Sequence, residues 1–256
     1  MFGPFALSDA AIRTGSVLMI VAAAVVLPVL WFVPAPYGRH ARKGFGPSID
    51  ARWAWIVMES PSVWLFTWVF LSAPGRRTAS AWLLAALFET HYVQRTLVFP
   101  TLMRNPGRKP LLVAALAFLF NVANASLNAA ALSRLPPGGA SGVVEPRSVL
   151  GVALFVLGFA LNVRSDATLR GLRKPGGPRY SIPTGGGFRF VTSPNYLGEI
   201  VEWTGFSIAA GTLPSVAFAI FTVANLLPRA RAHHAWYREQ FTEYPSERRA
   251  LIPGIF

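Results

Sequence analysis

The run SVLMIVAAAVVLPVLWFV, Ser16 to Val33, carries no charge and is about long enough to cross a hydrocarbon core as a helix. It is too long for a signal-peptide core, and no basic start or small-residue cleavage site frames it. We read it as a retained span. Similar runs follow at roughly Trp53–Leu71, Ser80–Phe99, Leu111–Leu132, Ser148–Val163, Tyr196–Thr212 and Leu213–Leu227. The last two are parted only by the Gly211–Pro214 turn. Backbone polar groups in lipid must be satisfied internally, and helix does this within one segment. The alternating strands of an outer-membrane barrel are not seen. The pattern predicts an all-α integral membrane protein with seven transmembrane helices.

Composition agrees. The chain has 256 residues, 53% of them hydrophobic and 14% charged, where a soluble domain holds roughly 45–50% apolar and 25% charged residues. That argues against an ordinary soluble enzyme and excludes disorder. With no cysteine there is no disulfide, thiolate metal site or cysteine nucleophile. The net charge of +13 would suggest nucleic acid in a soluble protein; in a membrane protein it reflects basic cytoplasmic loops, anionic lipid or a phosphate-bearing ligand. No nucleic-acid partner is expected. With the N-terminus outside, 19 of the 24 Lys and Arg residues fall inside and 5 outside, as the positive-inside rule requires. The C-terminus is then cytoplasmic. A bacterial source would place the protein in the inner membrane, a eukaryotic one in the endoplasmic reticulum.

Charges interrupt the apolar runs at Glu59, at Glu89, His91 and Arg95, and at Glu199 and Glu202. A carboxylate at mid-bilayer costs at least about 2.5 kcal/mol, so these groups face a cavity or a partner. One reading is interhelical or local ion pairing, such as Glu89 with Arg95 or Glu202 with an inside arginine. The other is a functional cavity. Glu89, Tyr92 and Arg95 are spaced i, i+3, i+6 and share a helix face. Asn195 stands where a helix N-cap would. Two segments between runs are long: Pro136–Arg147, rich in Gly and Pro, reads as an outside connector, and Arg164–Pro194, dense in Arg, is inside and of functional length. The tail beyond Pro228 is basic yet holds Trp236, Tyr237, Phe241 and Tyr244, so it is expected to dock on something. There is no Rossmann fingerprint or Walker loop. His233-His234 lacks zinc-type partners, and no metal is expected.

The stretch NVRSDATLRGLRKPGGPRYSIPTGGGFRFVTSPNYLGEIVEW (Asn162 to Trp203) and the tail HHAWYREQFTEYPSERRALIPGIF (His233 to Phe256) resemble the membrane steroid 5α-reductase family. PYGRH at Pro36–His40, E-x-P at Glu59–Pro61 and HYxxR at His91–Arg95 extend the resemblance to the N-terminal half. The resemblance implies a single transmembrane domain over 1–256. Helices 1–4 (1–132) lie on the substrate side; helices 5–7 (148–256), with loop and tail, bind cofactor. It also implies an oxidoreductase that uses NADPH to reduce the Δ4 double bond of a 3-oxo steroid. Glu59 and Tyr92 would address the ketone. Arg95, Asn162, Asp166, Arg173, Tyr180, Asn195, Glu199, Arg229, His233, Tyr237 and Arg248 would surround the cofactor. Met58 departs from the family, since animal relatives carry glutamine there.

The residues suit that chemistry. Hydride delivery to the β-carbon of an enone sends charge to the carbonyl oxygen, which needs donors. A tyrosine hydroxyl and a carboxylic acid kept protonated by low dielectric supply two, as in ketosteroid isomerase on an unrelated fold. For Tyr92 the plain alternative is an interfacial anchor; for Asp166 it is a salt bridge to Arg170. Arginine forks match phosphate oxygens. Competing classes are a membrane reductase of another apolar enone or polyprenyl lipid, an isoprenylcysteine-type methyltransferase, and a non-enzymatic lipid carrier. Methyl transfer needs no enolate stabilisation, and a transporter more often shows internal repeats. The expected partners are a small steroid-like substrate and membrane lipid, and nothing requires more than a monomer.

Overall fold

All seven apolar runs are helical in the computed structural model, which describes residues 7–104, 106–136, 145–173, 177–178 and 180–256. Lys174, Arg179 and most of the Pro136–Arg147 connector lie outside the described residues. In chain order come α1 (Asp9–Phe32), β1 (Ser48–Asp50), α2 (Ala51–Glu59), α3 (Pro61–Ser72), α4 (Ala79–Val93), a π-helical turn (Gln94–Val98) and α5 (Phe99–Thr101). Then follow β2 (Arg108–Pro110), α6 (Leu111–Leu132), α7 (Pro146–Gly171), α8 (Pro194–Ala210) and α9 (Leu213–Gln240).

Among the described residues, five helical segments are long and apolar enough to cross a membrane: α1, the α2–α3 rod, α6, α7 and α9. The outer side of α1 leaves Leu18 and Phe32 61% and 80% exposed, apolar surface that water would not tolerate and lipid would. The remaining two runs are shorter or broken. α8 has 17 residues, and the rod from α4 to α5 is interrupted by the π turn. Pro100 explains the interruption: it has no N–H to give to the carbonyl four residues back. The helix widens, and the Phe99 N–H bonds instead to the Gln94 carbonyl.

The α2–α3 rod shows a related break. Pro61 has no N–H for the Val57 carbonyl, and the Ser60 hydroxyl donates to it at 2.9 Å. Glu59 is thus the last residue of α2 at a built-in discontinuity. One feature departs from an all-helical chain. β1 and β2 pair antiparallel, Ile49 opposite Lys109, which ties the connector before α2 to the connector before α6.

α7 and α8 approach most closely. A Cβ on Gly198 would come within 2.6 Å of the Asn162 nitrogen and the Gly158 oxygen, and one on Gly205 within 2.5 Å of the Gly151 oxygen. Small residues let transmembrane backbones meet, and here they bring Asn162 of α7 against the first turns of α8. Gly211 closes α8 in the left-handed conformation, φ 60°. Thr212 then opens α9 with a capping box to Ser215. The core is aromatic: Trp203, Phe88, Phe155 and Phe206 are fully buried around one another. The tail does dock. The Thr192 and Ser193 N–H groups donate to the Arg249 and Ala250 carbonyls, so the chain end is fastened to the segment leading into α8.

Candidate active site

A cavity of about 590 Å³ lies within the helices, inside the roughly 300–1,000 Å³ range of small-ligand sites. α1, α6 and α9 give it an apolar wall that includes Val26, Leu30, Leu116, Phe120, Phe218 and Phe221. The polar wall is drawn from α2, the α4 rod, α7, α8 and α9. It carries Glu59, His91, Tyr92, Arg95, Asp166, Asn195, Glu199 and Arg229. Seven residues expected at the site therefore line one cavity: Glu59, Tyr92, Arg95, Asp166, Asn195, Glu199 and Arg229.

Tyr92 is not an interfacial anchor. It is 4% exposed, packs on Phe88 and Trp203 at 4.7 and 5.7 Å, and its hydroxyl accepts from Asn124 Nδ2 at 3.1 Å. Glu59 Oε2 accepts from Asn121 Nδ2 at 3.2 Å. The same amide donates to the Met58 carbonyl at 2.7 Å, and Asn121 Oδ1 takes the Ser62 hydroxyl proton at 3.1 Å.

The charged groups pair differently from the local expectations. Arg95 donates to Asp166 at 3.0 Å and lies over Trp55 and Phe99, so it is not the partner of Glu89. Glu89 instead accepts the Thr67 hydroxyl at 2.6 Å. Glu202 meets no inside arginine but His91, Nδ1 to Oε1 at 2.7 Å, with both side chains buried. Asp166 binds Arg95 and Asn195 rather than Arg170. Asn195 is not an N-cap: Ser193 holds that position, while Asn195 stands in the first turn and donates to Asp166 at 3.0 Å. Asn162 completes the cluster by donating to the Asn195 carbonyl at 3.0 Å and to Glu199 at 3.3 Å.

A second cluster continues from Arg229. That guanidinium lies over Tyr37 and Tyr196; Tyr196 packs on His233, and His233 stacks on His40 at 5.5 Å. Arg39 covers Tyr237 at 4.6 Å and Tyr180 at 5.7 Å. Tyr237 donates to the Ser181 carbonyl and Arg248 to the Pro183 carbonyl at 3.0 Å. Arg173 stands apart: it is exposed, donates to the Arg104 carbonyl at 3.3 Å and does not line the cavity.

Several residues in or beside the wall were not among those expected: Lys109 and Asn121 line it, Asn124 bonds to the lining Tyr92, Asn128 bonds to Asn124, and His40 stacks on His233. Lys109 is buried, 4.0 Å from the Trp55 ring centre and 3.3 Å from Met58 Sδ. Burial pushes its ammonium down to about 7, against the pull of Glu59. Burial, and then the neighbouring Arg39, Arg229 and Arg42, likewise lower His40. The asparagines of α6 could have been found: Asn121, Asn124 and Asn128 share one face of an otherwise apolar run.

Buried polar atoms with no partner among the described residues remain on Arg39, His40, Asn162 and Arg248. Such groups are rare and call for a ligand or water. Their mixture of guanidinium, imidazole and amide suits phosphate, ribose and carboxamide.

The family description 3-oxo-5-alpha-steroid 4-dehydrogenase matches residues 107–256. The chain is 44% identical to 3-oxo-5-alpha-steroid 4-dehydrogenase 1 of Rattus norvegicus, over 87% of each chain. It is 42% identical to the Macaca fascicularis protein of the same name, over 86% of this chain and 84% of the other. It is 41% identical to Steroid 5-alpha-reductase DET2 of Gossypium hirsutum, over 89% and 90%. A family match over more than half of the chain, with relatives of this identity over most of its length, makes the chain a member of the 3-oxo-5-alpha-steroid 4-dehydrogenase family.

Proposed function

We propose that this protein is an NADPH-dependent steroid 5α-reductase that crosses the membrane seven times, with α8 and the α4 rod as the two spans beyond the five long apolar ones. Its substrate would be a 3-oxo-Δ4 steroid. The observation that carries this is the convergence of Glu59 and Tyr92 on one cavity, with an apolar wall on α1, α6 and α9 and a charged, amide-bearing wall on α7 and α8.

Arg39, Arg229, Arg248, His233, Tyr180 and Tyr237 would hold the phosphates and adenosine of the cofactor, and Asn162, Asp166, Asn195 and Glu199 its ribose and carboxamide. NADPH, when bound, supplies hydride to C5 of the enone. As C5 gains hydride, the π electrons shift and negative charge accumulates on the C3 oxygen. Tyr92 gives that oxygen its hydroxyl proton as a hydrogen bond, and protonated Glu59 gives a second. A proton taken up from solvent at C4 completes the saturated ketone. Arg95, held by Asp166, keeps a fixed positive charge in the polar wall. The apolar wall takes the steroid rings and excludes water, which strengthens both donors.

The test uses the detergent-purified protein with a 3-oxo-Δ4 steroid. NADPH should be consumed in preference to NADH, and the product should be the 5α-reduced ketone. Tyr92→Phe should lose roughly 2.7–4 kcal/mol of transition-state stabilisation, felt in kcat, with NADPH binding kept. Glu59→Gln retains a donor and should be milder than Glu59→Ala. Near-normal turnover in Tyr92→Phe would show that Tyr92 does not meet the carbonyl.

A further inference from the structure

Asn121, Asn124 and Asn128 are spaced i, i+3 and i+7 on α6 and are all buried. A buried amide left unbonded costs about 1–3 kcal/mol, so their bonds define how each is turned. The two ends of a carboxamide differ, and backbone carbonyls, which only accept, settle which end is which. Asn128 Nδ2 is 3.1 Å from the Asn124 carbonyl and 2.9 Å from Asn124 Oδ1. Asn124 Oδ1 is therefore an acceptor facing Asn128. Its Nδ2 must face the other way, and it donates to the Tyr92 hydroxyl oxygen at 3.1 Å.

Asn121 repeats the logic. The Met58 carbonyl fixes its Nδ2, which also donates to Glu59 Oε2 at 3.2 Å. With Oε2 accepting from the amide, an acid proton carried by Glu59 would sit on Oε1. Asn121 Oδ1 accepts the Ser62 proton. Because Asn124 donates to the Tyr92 hydroxyl oxygen, α6 does not compete for the proton that a substrate oxygen would take.

We propose that the asparagine row of α6 directs both donor protons: Asn124, oriented by Asn128, and Asn121 keep the protons of Tyr92 and Glu59 turned away from α6 and available to the substrate oxygen. This rests on the reading of Glu59 and Tyr92 as the carbonyl-binding pair. The asparagines act through those two residues and are positioning residues.

Asn124→Leu, close in size and unable to donate, is measured in the wild-type and in the Tyr92→Phe backgrounds at saturating steroid and NADPH. In the wild-type background kcat should fall about tenfold, the scale of one lost hydrogen bond, with the KM for NADPH unchanged. In Tyr92→Phe there is no hydroxyl left to direct, and Asn124→Leu should cost nothing further. An equal loss in both backgrounds would mark Asn124 as merely structural and overturn the proposal, as would full activity of Asn124→Leu alone. If Asn124→Leu does not survive purification, Asn128→Ala keeps Asn124 but frees its amide to turn. It should show a smaller loss with the same dependence on the Tyr92 hydroxyl, and a loss independent of that hydroxyl refutes the idea. Normal turnover in Tyr92→Phe by itself would remove the carbonyl assignment on which the proposal stands, a failure recognisable without any asparagine variant.

Discussion

An ammonium packed between aromatic rings, with no carboxylate within ion-pair distance among the described residues, is an expensive residue, and Lys109 is one. Its group ordinarily titrates near 10.5 and is brought down to about 7 by burial. Between those values the unfolded chain binds more protons than the folded one, so this group makes stability rise with pH across that window and withholds it below pH 7. Lys109→Met should remove the dependence. The unfolding free energy of wild type relative to the variant should climb from pH 7 toward pH 10.5, by at most about 1.4 kcal/mol per pH unit. A constant difference would mean that Lys109 is charged throughout. The same residue shows where sequence reading reaches and where it stops. Glu59, Tyr92 and Arg95 are conspicuous because a polar group inside an apolar run needs a reason. Lys109 stands just before such a run and resembles any basic loop residue; only the pairing of β1 with β2 turns it inward. The α6 asparagines carry no charge, so only their spacing sets them apart from the rest of the run. Arg95 and Asp166 are 71 positions apart, so their pairing depends on how α4 and α7 pack.

At the scale of elements, hydropathy marks the helices well because lipid admits little else. The finer joints come from proline. Pro61 separates α2 from α3 and leaves Glu59 at the break; Pro100 forces the π turn that contains Arg95. These follow from one missing N–H each, and the first is visible in the E-x-P motif. The β1–β2 ribbon was not legible, since three residues per strand, one of them proline, carry no alternation to read. The α7–α8 contact is the most sensitive joint. Gly158→Ala and Gly198→Ala each drive a methyl group into the facing backbone and should destabilise by about 1–3 kcal/mol or more. Because Asn162 and Glu199 meet across this contact, NADPH should bind more weakly in both variants. A thermal shift assay with and without NADPH reads both effects, and wild-type melting in either variant would contradict the close approach.

Across the whole molecule, charge and cavity agree on a direction. With the N-terminus outside and seven crossings, the inside segments would carry 19 of the 24 cations, and the tail folds back on the segment before α8, bringing Arg248 to Pro183. A soluble dinucleotide would reach that cluster from the cytoplasm, and a steroid would enter the apolar wall from the bilayer. Reporter fusions should place the C-terminus inside and the N-terminus outside; a cytoplasmic N-terminus would contradict seven crossings.

The central claim is that this cavity joins hydride transfer to a polarised enone. The most direct measurement supplies NADPH carrying deuterium on the transferable face of its nicotinamide C4, with a 3-oxo-Δ4 steroid, and locates the label in the product. The account predicts one deuterium at C5 on the α face and a solvent-derived hydrogen at C4. Deuterium at C4, on the C3 carbon as in alcohol formation, or retained in the nicotinamide while the steroid is unchanged would contradict it.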